Sequence, residues 1–504
     1  MKVRSCVGKA LILALFIPIG ACDEGLPFGG GRAGTVAQSF VSDPQVRAFY
    51  EARQWQSAWN GESERTLREI IGNALAHGLK PSAFLKDDAL PQDRSARDAA
   101  LTGAALRYAS ALARGYSDPA KMGLVYTIPR PKLDVAAGLR QALEDGDLKE
   151  WFNSLPPQTD EYRALSRAHL DYVQRTAQLR ANPIPAGKPI KPGRADDRLP
   201  AIAAALTAIG YAPAPPGNFV PSQRYSGALV EAVKRLQADL GMKPDGIVGE
   251  ETLAALNEGP AGRARQVAVA MERLRWLERN NAPTRIDVNT AAAFLDYWRD
   301  GRRVDRRNVV VGEPGWETPQ LSSPMFQLVA KPMWRVPDSI LEDEISKKSG
   351  GWLAANGFEY RDGRLVQRSG PKNSLGLVKF DLKNKESIYL HDTPAKALFG
   401  QPERHRSHGC VRVHNALEFA DLIASDEGVL DQFRKAMSKD DETYVKLKGE
   451  IPVRLLYHTV FWDGSRLQFR PDVYGWDENV AVALGFVRGP MRKPRQHQPG
   501  DVGP

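Results

Sequence analysis

The sequence predicts a multi-domain α+β protein, with a helical first half and a mainly β second half. Apolar residues recur at helical spacing through residues 43–195, whereas short apolar stretches of β type take over after residue 284. A proline-rich segment at 181–200 separates the first helical region from a second, smaller one. With 504 residues, of which 42% are hydrophobic, the chain can build several cores, and a wholly disordered chain is excluded.

The first 22 residues have the order of a secretory signal. Basic residues precede an apolar run at 10–19, which is too short to span a membrane, and small residues follow. We therefore expect an exported protein, located in the periplasm or cell envelope. The end of this segment, Ile-Gly-Ala-Cys, resembles the processing box of bacterial lipoproteins, in which Cys22 would carry the lipid anchor to the inner membrane. An ordinary signal peptide or an uncleaved anchor with an incidental cysteine is the alternative, and residues 23–42 form a linker in either case.

Residues 43–195 predict a helical scaffold domain. One apolar face follows the three- and four-residue steps of a helix, at Leu67, Ile70, Ile71, Leu75 and Leu79. The histidines of this region, His77 and His169, are isolated, so we interpret them as packed or solvated helix residues. Nothing in the region predicts catalysis.

A small helical domain is predicted at 200–258. Its first helix carries one apolar stripe, formed by Leu229, Val233, Leu236 and Leu240. A turn around Asp245-Gly246 leads to a second helix that starts near Glu250. Residues 259–283 then predict an amphipathic connecting helix.

Residues 284–480 predict a sheet domain, and residues 481–504 a basic solvated tail. The β-type stretches include "NVVVG", "FQLVA" and "SIYLHDT", and two strands meet around Asp463-Gly464. The net charge of +9 comes from 69 basic and 60 acidic residues that are scattered along the chain. Because no basic stripe or recognition motif appears, we do not expect nucleic-acid binding.

The sheet domain contains a cluster of histidines around a single thiol. Four of the eight histidines lie between residues 391 and 414: His391, His405, His408 and His414. Of the three cysteines, Cys6 and Cys22 belong to the signal region, so Cys410 is the one thiol of the folded body. A lone thiol is an oxidation liability in an exported protein, which favours a functional explanation.

Three interpretations of this cluster compete. A metal site is disfavoured, because neither a His-Glu-x-x-His helix nor a Cys-x-x-Cys pair is present. In the second interpretation Cys410 is a nucleophile and a histidine takes its proton; His391, at the end of an apolar strand, could return to face the thiol. Gly409 would permit an unusual backbone turn that lets nearby amides converge on an oxyanion. In the third, the cysteine is buried core and the histidines are solvated.

The stretch "HDTPAKALFGQPERHRSHGCVRV" resembles the signature of L,D-transpeptidases with the YkuD-type catalytic domain. That signature is a histidine, about fifteen residues, then Ser-His-Gly-Cys and a hydrophobic residue. The surrounding "PMWRVP", "GPKNSLGLVKF" and "DVYGWD" resemble the large multi-domain branch, and the small helical domain resembles a peptidoglycan-binding module. The resemblance implies a mainly β catalytic domain, a helical scaffold, and a substrate-covering insertion at about 320–385.

The resemblance also implies a reaction. Cys410 would attack a peptidoglycan tetrapeptide stem, release D-alanine and form a thioester, with His391 as general base and acid. Ser407, His408 and Gly409 would shape the loop, with the amides of Gly409 and Cys410 as oxyanion donors. For Arg412, binding of a substrate carboxylate and a structural salt bridge are both open. The peripheral or structural histidines are His405, His414 and His458.

The expected partners follow from this reaction. They are peptidoglycan stem peptides and glycan, the membrane through a lipid anchor, and carbapenem-type inhibitors that acylate Cys410; no cofactor and no metal are expected. Two alternatives stay open. Water could resolve the same thioester, as in an L,D-carboxypeptidase or wall hydrolase, or the chain could be a non-catalytic peptidoglycan-binding protein.

Overall fold

The computed structural model describes residues 34–86, 89–123, 125–178, 182–213 and 224–487. The predicted signal segment with Cys22, most of the linker, and the end of the basic tail lie outside these residues. Within the described ranges, no helix combines the length and the apolar character that crossing a membrane requires.

The N-terminal body is helical. Its helices are α1 (Pro44–Ala52), α2 (Gly61–Gly72), α3 (Arg94–Arg114), α4 (Val135–Asp145), α5 (Leu148–Ser154) and α6 (Asp160–Gln178). Several of these helices begin at a capping side chain that accepts hydrogen bonds from the first backbone amides. At the start of α1, Asp43 accepts the amides of Gln45 and Val46. Helices α1 to α5 bury a shared apolar core around Phe49 and Leu67, whereas Tyr162 and Leu165 of α6 pack into the core of the small helical domain.

The small helical domain packs against this body. It contains α7 (Leu199–Ala208), α8 (Ala228–Asp239) and the first part of α9 (Glu250–Trp276). Gln237 on α8 holds the predicted turn, because its Oε1 accepts the Gly246 amide at 2.8 Å and its Nε2 donates to Ile247 O at 3.0 Å. Ile184 and Ile190 are buried in the core of this domain. Part of the proline-rich segment therefore belongs to the small domain.

Helix α9 differs from the predicted connecting helix at 259–283. The second helix of the small domain continues into it across a kink at Gly259, whose φ is +58°, and Pro260 follows. The helix ends at Trp276. Its sides serve two cores: Ala268, Val269 and Trp276 enter that of the N-terminal body, whereas Val267, Ala270 and Met271 enter that of the small domain.

The sheet domain is built on a nine-stranded sheet. Its strands are β1 (Arg285–Asn289), β2 (Phe294–Arg299), β3 (Arg302–Gly312), β4 (Leu321–Ala330), β8 (Val378–Leu382), β9 (Leu390–His391), β10 (His405–Ser407), β11 (Val411–Val413) and β12 (Thr443–Leu456). They are ordered β10-β3-β11-β9-β8-β4-β12-β1-β2, and β2 also pairs with β3. The pairings therefore close into a circuit, and α12 (Ala416–Asp426) and α13 (Leu430–Met437) pack their apolar faces on its core.

A separate unit lies between β4 and β8. It contains β5 (Trp334–Arg335), α10 (Asp338–Asp343), α11 (Gly350–Ala355), β6 (Phe358–Arg361) and β7 (Arg364–Gln367), with a three-stranded sheet and an apolar core of its own. We call residues 334–375 the cap. The predicted insertion bounds of 320–385 are wrong at both ends, because β4 and β8 pair with each other inside the main sheet.

The C-terminal segment links the sheet domain to the rest of the protein. It contains β13 (Val460–Trp462), β14 (Leu467–Phe469) and α14 (Trp476–Ala483). The first two form the hairpin predicted around Asp463-Gly464, and Val460 and Phe469 pack into the core of the small domain. Helix α14 packs into the core of the N-terminal body. The predicted fold class, α+β with helical N-terminal parts and a mainly β domain, is confirmed.

Candidate active site

The sheet brings His391 and Cys410 to neighbouring strands. His391 ends β9, which pairs in parallel with β11 in the register Leu390 to Val411 and His391 to Arg412, and Cys410 directly precedes β11. Adjacent strands lie about 5 Å apart. The imidazole of His391 is fully buried, and its Nδ1 donates to Asp392 O at 2.5 Å. This bond fixes the neutral ring in the tautomer whose basic nitrogen is Nε2.

The thiol of Cys410 is buried and neutral in this environment. Its side chain is 6% exposed, and Sγ donates weakly to Ser387 O at 3.8 Å. Burial raises the pKa of the Cys410 thiol to about 11, although the Tyr389 hydrogen bonds and the charges of Lys379 and Arg412 act in the opposite direction. A thiolate therefore forms when a base takes the proton, and not by simple ionisation near neutral pH.

Tyr389 and Lys379 complete the surroundings of the thiol. The Tyr389 ring lies 5.7 Å from the His391 ring, and Lys379 Nζ lies 4.7 Å from the centre of the Tyr389 ring. Lys379 on β8 stands in register with His391. Burial and the neighbouring Cys410 raise the pKa of Tyr389 well above its usual range, so its hydroxyl keeps the proton that it can donate towards sulfur.

The Ser407–Gly409 turn is held by one hydroxyl. Ser407 Oγ donates to Cys410 O at 2.6 Å and accepts the Gly409 amide at 3.2 Å. Gly409 has a φ of +110°, a conformation that favours glycine, as the sequence predicted. Because the Gly409 amide already donates to Ser407, the expectation that it also serves as an oxyanion donor is not supported; it closes the turn.

His408 faces the cap. Its Nε2 lies 2.8 Å from Glu344 Oε1 just after α10, and its ring meets that of Trp316 edge to face at 5.0 Å between centres. The side chain is 4% exposed. His408 therefore connects the cysteine loop to the cap.

The remaining predicted residues, Arg412 and three histidines, lie in different surroundings. Arg412 is 1% exposed and stands in register with His391, and its charge acts to lower the pKa of the Cys410 thiol from within the sheet. His405 contacts Thr290 O at 2.9 Å, and the His414 ring packs on Phe399. Burial lowers the pKa of His458 to about 3, which makes it a neutral structural residue.

A metal centre has no donor set in the part of the chain that the structure describes. No group of three or more His, Cys, Asp or Glu side chains there could hold a metal ion. The histidines of the cluster instead contact a backbone carbonyl, a carboxylate or an aromatic ring.

Sequence reasoning missed Tyr389, Lys379 and Glu344. A signal existed for Tyr389, because it stands two residues before His391 and successive strand residues alternate between the two faces. The other two reach the site through strand pairing and through cap docking between distant segments. Neither contact leaves a local pattern in the sequence.

Three family models match separate parts of the chain. The model of the YkuD L,D-transpeptidase catalytic domain matches residues 283–441, which include His391 and Cys410. The scaffold domain model matches residues 44–169. The model described as "Putative peptidoglycan binding domain" matches residues 196–256.

Similar proteins carry related names. A Haemophilus influenzae protein named "Putative L,D-transpeptidase" is 26% identical over 226 residues, which are 39% of this chain and 45% of that protein. The match thus spans less than half of that relative's length. The L,D-transpeptidase structure from Mycobacterium smegmatis is 15% identical over 35% of this chain and 60% of its own, with a TM-score of 0.22. That from Stackebrandtia nassauensis is 14% identical over 54% and 97%, with a TM-score of 0.22.

The family matches and the site coincide. The catalytic-domain match contains the strand that ends at His391 and the loop that carries Cys410, and the other two matches fall on the two helical regions. The chain therefore joins an L,D-transpeptidase catalytic domain of the YkuD family to a scaffold domain and a peptidoglycan-binding domain.

Proposed function

We propose that this protein is a peptidoglycan L,D-transpeptidase that forms 3-3 cross-links through a thioester on Cys410. The observation that carries the proposal is the pairing of β9, which ends at His391, with β11, which Cys410 directly precedes. The His391 Nδ1 is tied to a backbone carbonyl. That bond leaves Nε2 as the nitrogen that takes the thiol proton. Tyr389 donates towards the developing thiolate.

In the acylation step, Cys410 Sγ attacks the carbonyl carbon of the third stem residue, a diamino acid. The thiol proton passes to His391 Nε2, and a tetrahedral oxyanion forms. The carbon–nitrogen bond to the terminal D-alanine then breaks. His391 returns its proton to the departing amine, so D-alanine leaves neutral at that nitrogen and a thioester remains.

In the second step, the side-chain amine of another stem attacks the thioester. His391 takes a proton from this amine and returns it to sulfur, which restores the thiol as the new amide forms. The low exposure of Cys410 and the cap beside its loop support transfer to an amine, because both limit the access of bulk water to the thioester.

The same proposal covers the location and the ligands of the protein. We place it in the cell envelope, where peptidoglycan lies, with Cys22 as a lipidation site outside the described residues. The domain at 196–256 would hold the glycan or stem near the catalytic domain. Carbapenems, which are strained amides, would acylate Cys410 by the first step alone.

The test uses the purified protein and disaccharide-tetrapeptides, with products identified by mass spectrometry. Cross-linked dimers with free D-alanine are expected, Cys410→Ala should abolish both, and His391→Gln should reduce both at least about a hundredfold. His414→Gln is the matched control, because it removes a nearby imidazole, one that packs on Phe399. Tripeptides without dimers would indicate a hydrolase, and full activity of Cys410→Ala would overturn the mechanism.

A further inference from the structure

One buried hydroxyl outside the catalytic signature holds the backbone at Cys410. Thr318 lies between β3 and β4 and is fully buried. Its Oγ1 donates to Gly409 O at 2.8 Å and accepts the Gly312 amide at 2.8 Å. The carbonyl before the nucleophile is thus bound to a residue that is distant in sequence.

This contact decides where the amide of Cys410 points. The peptide bond between Gly409 and Cys410 is trans, so its carbonyl and its N–H point in opposite directions. Holding Gly409 O on Thr318 therefore turns the Cys410 N–H away from Thr318. Ser407 holds the Cys410 carbonyl in the same way, at 2.6 Å, so both peptide planes next to the nucleophile are fixed.

Thr318 is itself supported from two sides. The turn from Gly312 is tight, because a Cβ at Gly312 would lie 2.0 Å from Trp316 O. The Tyr474 hydroxyl donates to Gly312 O at 2.6 Å and accepts the Thr318 amide at 3.4 Å. The Tyr474 amide in turn donates to Tyr457 OH at 3.0 Å. The C-terminal segment therefore supports the loop of the nucleophile.

We propose that Thr318 is a positioning residue that aims the Cys410 amide at the oxyanion of the acylation step. The proposal rests on the proposed function, since an oxyanion forms only if Cys410 attacks a carbonyl. An amide fixed before the reaction stabilises developing charge without reorganising during the step. Thr318 fixes the direction of the Cys410 amide, and Tyr474 holds Thr318 in place.

The test compares two reactions of the same thiol. Acylation, measured as D-alanine release from disaccharide-tetrapeptides, passes through an oxyanion, whereas alkylation by iodoacetamide displaces iodide and forms none. Thr318→Val keeps the shape of the side chain but loses both hydrogen bonds of the hydroxyl. It should lower kcat for D-alanine release about 10- to 100-fold, whereas KM and the alkylation rate should change less than about threefold. Thr318→Ser should stay within about threefold of wild type.

Each outcome bears on one proposal. Equal acylation by Thr318→Val and wild type, or a parallel fall in alkylation, would overturn the positioning role. If Thr318→Val does not fold, Tyr474→Phe replaces it. This variant should show a smaller fall in acylation and no change in alkylation. Unchanged acylation, or a parallel fall in alkylation, would again count against the positioning role. A wild-type protein that is alkylated but releases no D-alanine would instead reject the proposed function, and the role of Thr318 would fall with it.

Discussion

Replacing Gly409 with alanine tests whether the backbone turn at the nucleophile is required. The added Cβ would meet Ile388 Cδ1 at 3.5 Å, which is an ordinary contact, so the methyl group itself fits. The φ of +110° is the obstacle, because side-chain-bearing residues rarely adopt it. Gly409→Ala is therefore a nearly pure backbone perturbation.

The expected magnitude follows from this strain. A residue with a Cβ in such a conformation costs about 1–3 kcal/mol, so the free energy of unfolding should fall by that amount if the turn is retained. If the turn relaxes instead, the bonds from Gly409 N–H to Ser407 and from Thr318 to Gly409 O are lost together. Acylation should then fall by about tenfold for each 1.4 kcal/mol lost from stabilisation of the transition state.

The assay pairs thermal unfolding with D-alanine release from disaccharide-tetrapeptides. Gly464→Ala is the matched control, because Gly464 has a φ of +106°, lies in the hairpin turn between β13 and β14, and has nothing within 4 Å of its ideal Cβ position. Gly464→Ala should lose a few degrees of Tm and keep wild-type acylation, whereas Gly409→Ala should lose Tm if its turn is retained and acylation if its turn relaxes. Wild-type Tm together with wild-type acylation in Gly409→Ala, or an equal loss of acylation in Gly464→Ala, would refute the reasoning.

Two further predictions concern the cap and the thiol. Glu344→Gln weakens a charge-assisted hydrogen bond to His408 and should cost about 1–2 kcal/mol of the free energy with which the cap docks. The measurement is hydrogen exchange, which should become faster in residues 338–347. The control is Glu342→Gln at an exposed position, and equal exchange rates in the two variants would contradict the contact. Because burial raises the pKa of Cys410 to about 11, its alkylation rate in the absence of substrate should keep rising with pH beyond the usual thiol range of about 8.5. A plateau near that value would contradict the burial effect.

His391 and Cys410 could be singled out as candidates from the sequence because the signals that mark them are local. An apolar strand ends at His391, and a glycine directly precedes Cys410, so residue type and chain position carry the information. Thr318, Lys379 and Tyr474 could not be predicted in the same way. They reach the site through pairing and packing between segments that are far apart in the chain, and no periodicity encodes that register.

The errors in segment bounds have a similar origin. The apolar stretches "FQLVA" and "GLVKFDL" are visible as strands, yet only their mutual pairing shows that they belong to the main sheet and not to the cap. Gly259 and Pro260 are typical of a boundary, and the backbone does kink there. Packing on two sides nevertheless carries the helix across the kink, which a local pattern cannot show.

Helix α9 sets how the peptidoglycan-binding domain relates to the rest of the protein. A flexible linker would give a broad distribution of distances, and the linked domain would act by raising a local concentration. A helix whose two faces complete two different cores gives one distance instead. The hairpin of β13 and β14 ties the sheet domain to the same small-domain core through Val460 and Phe469. Under the proposed function, a glycan strand bound to the small domain would therefore be held at one distance from Cys410.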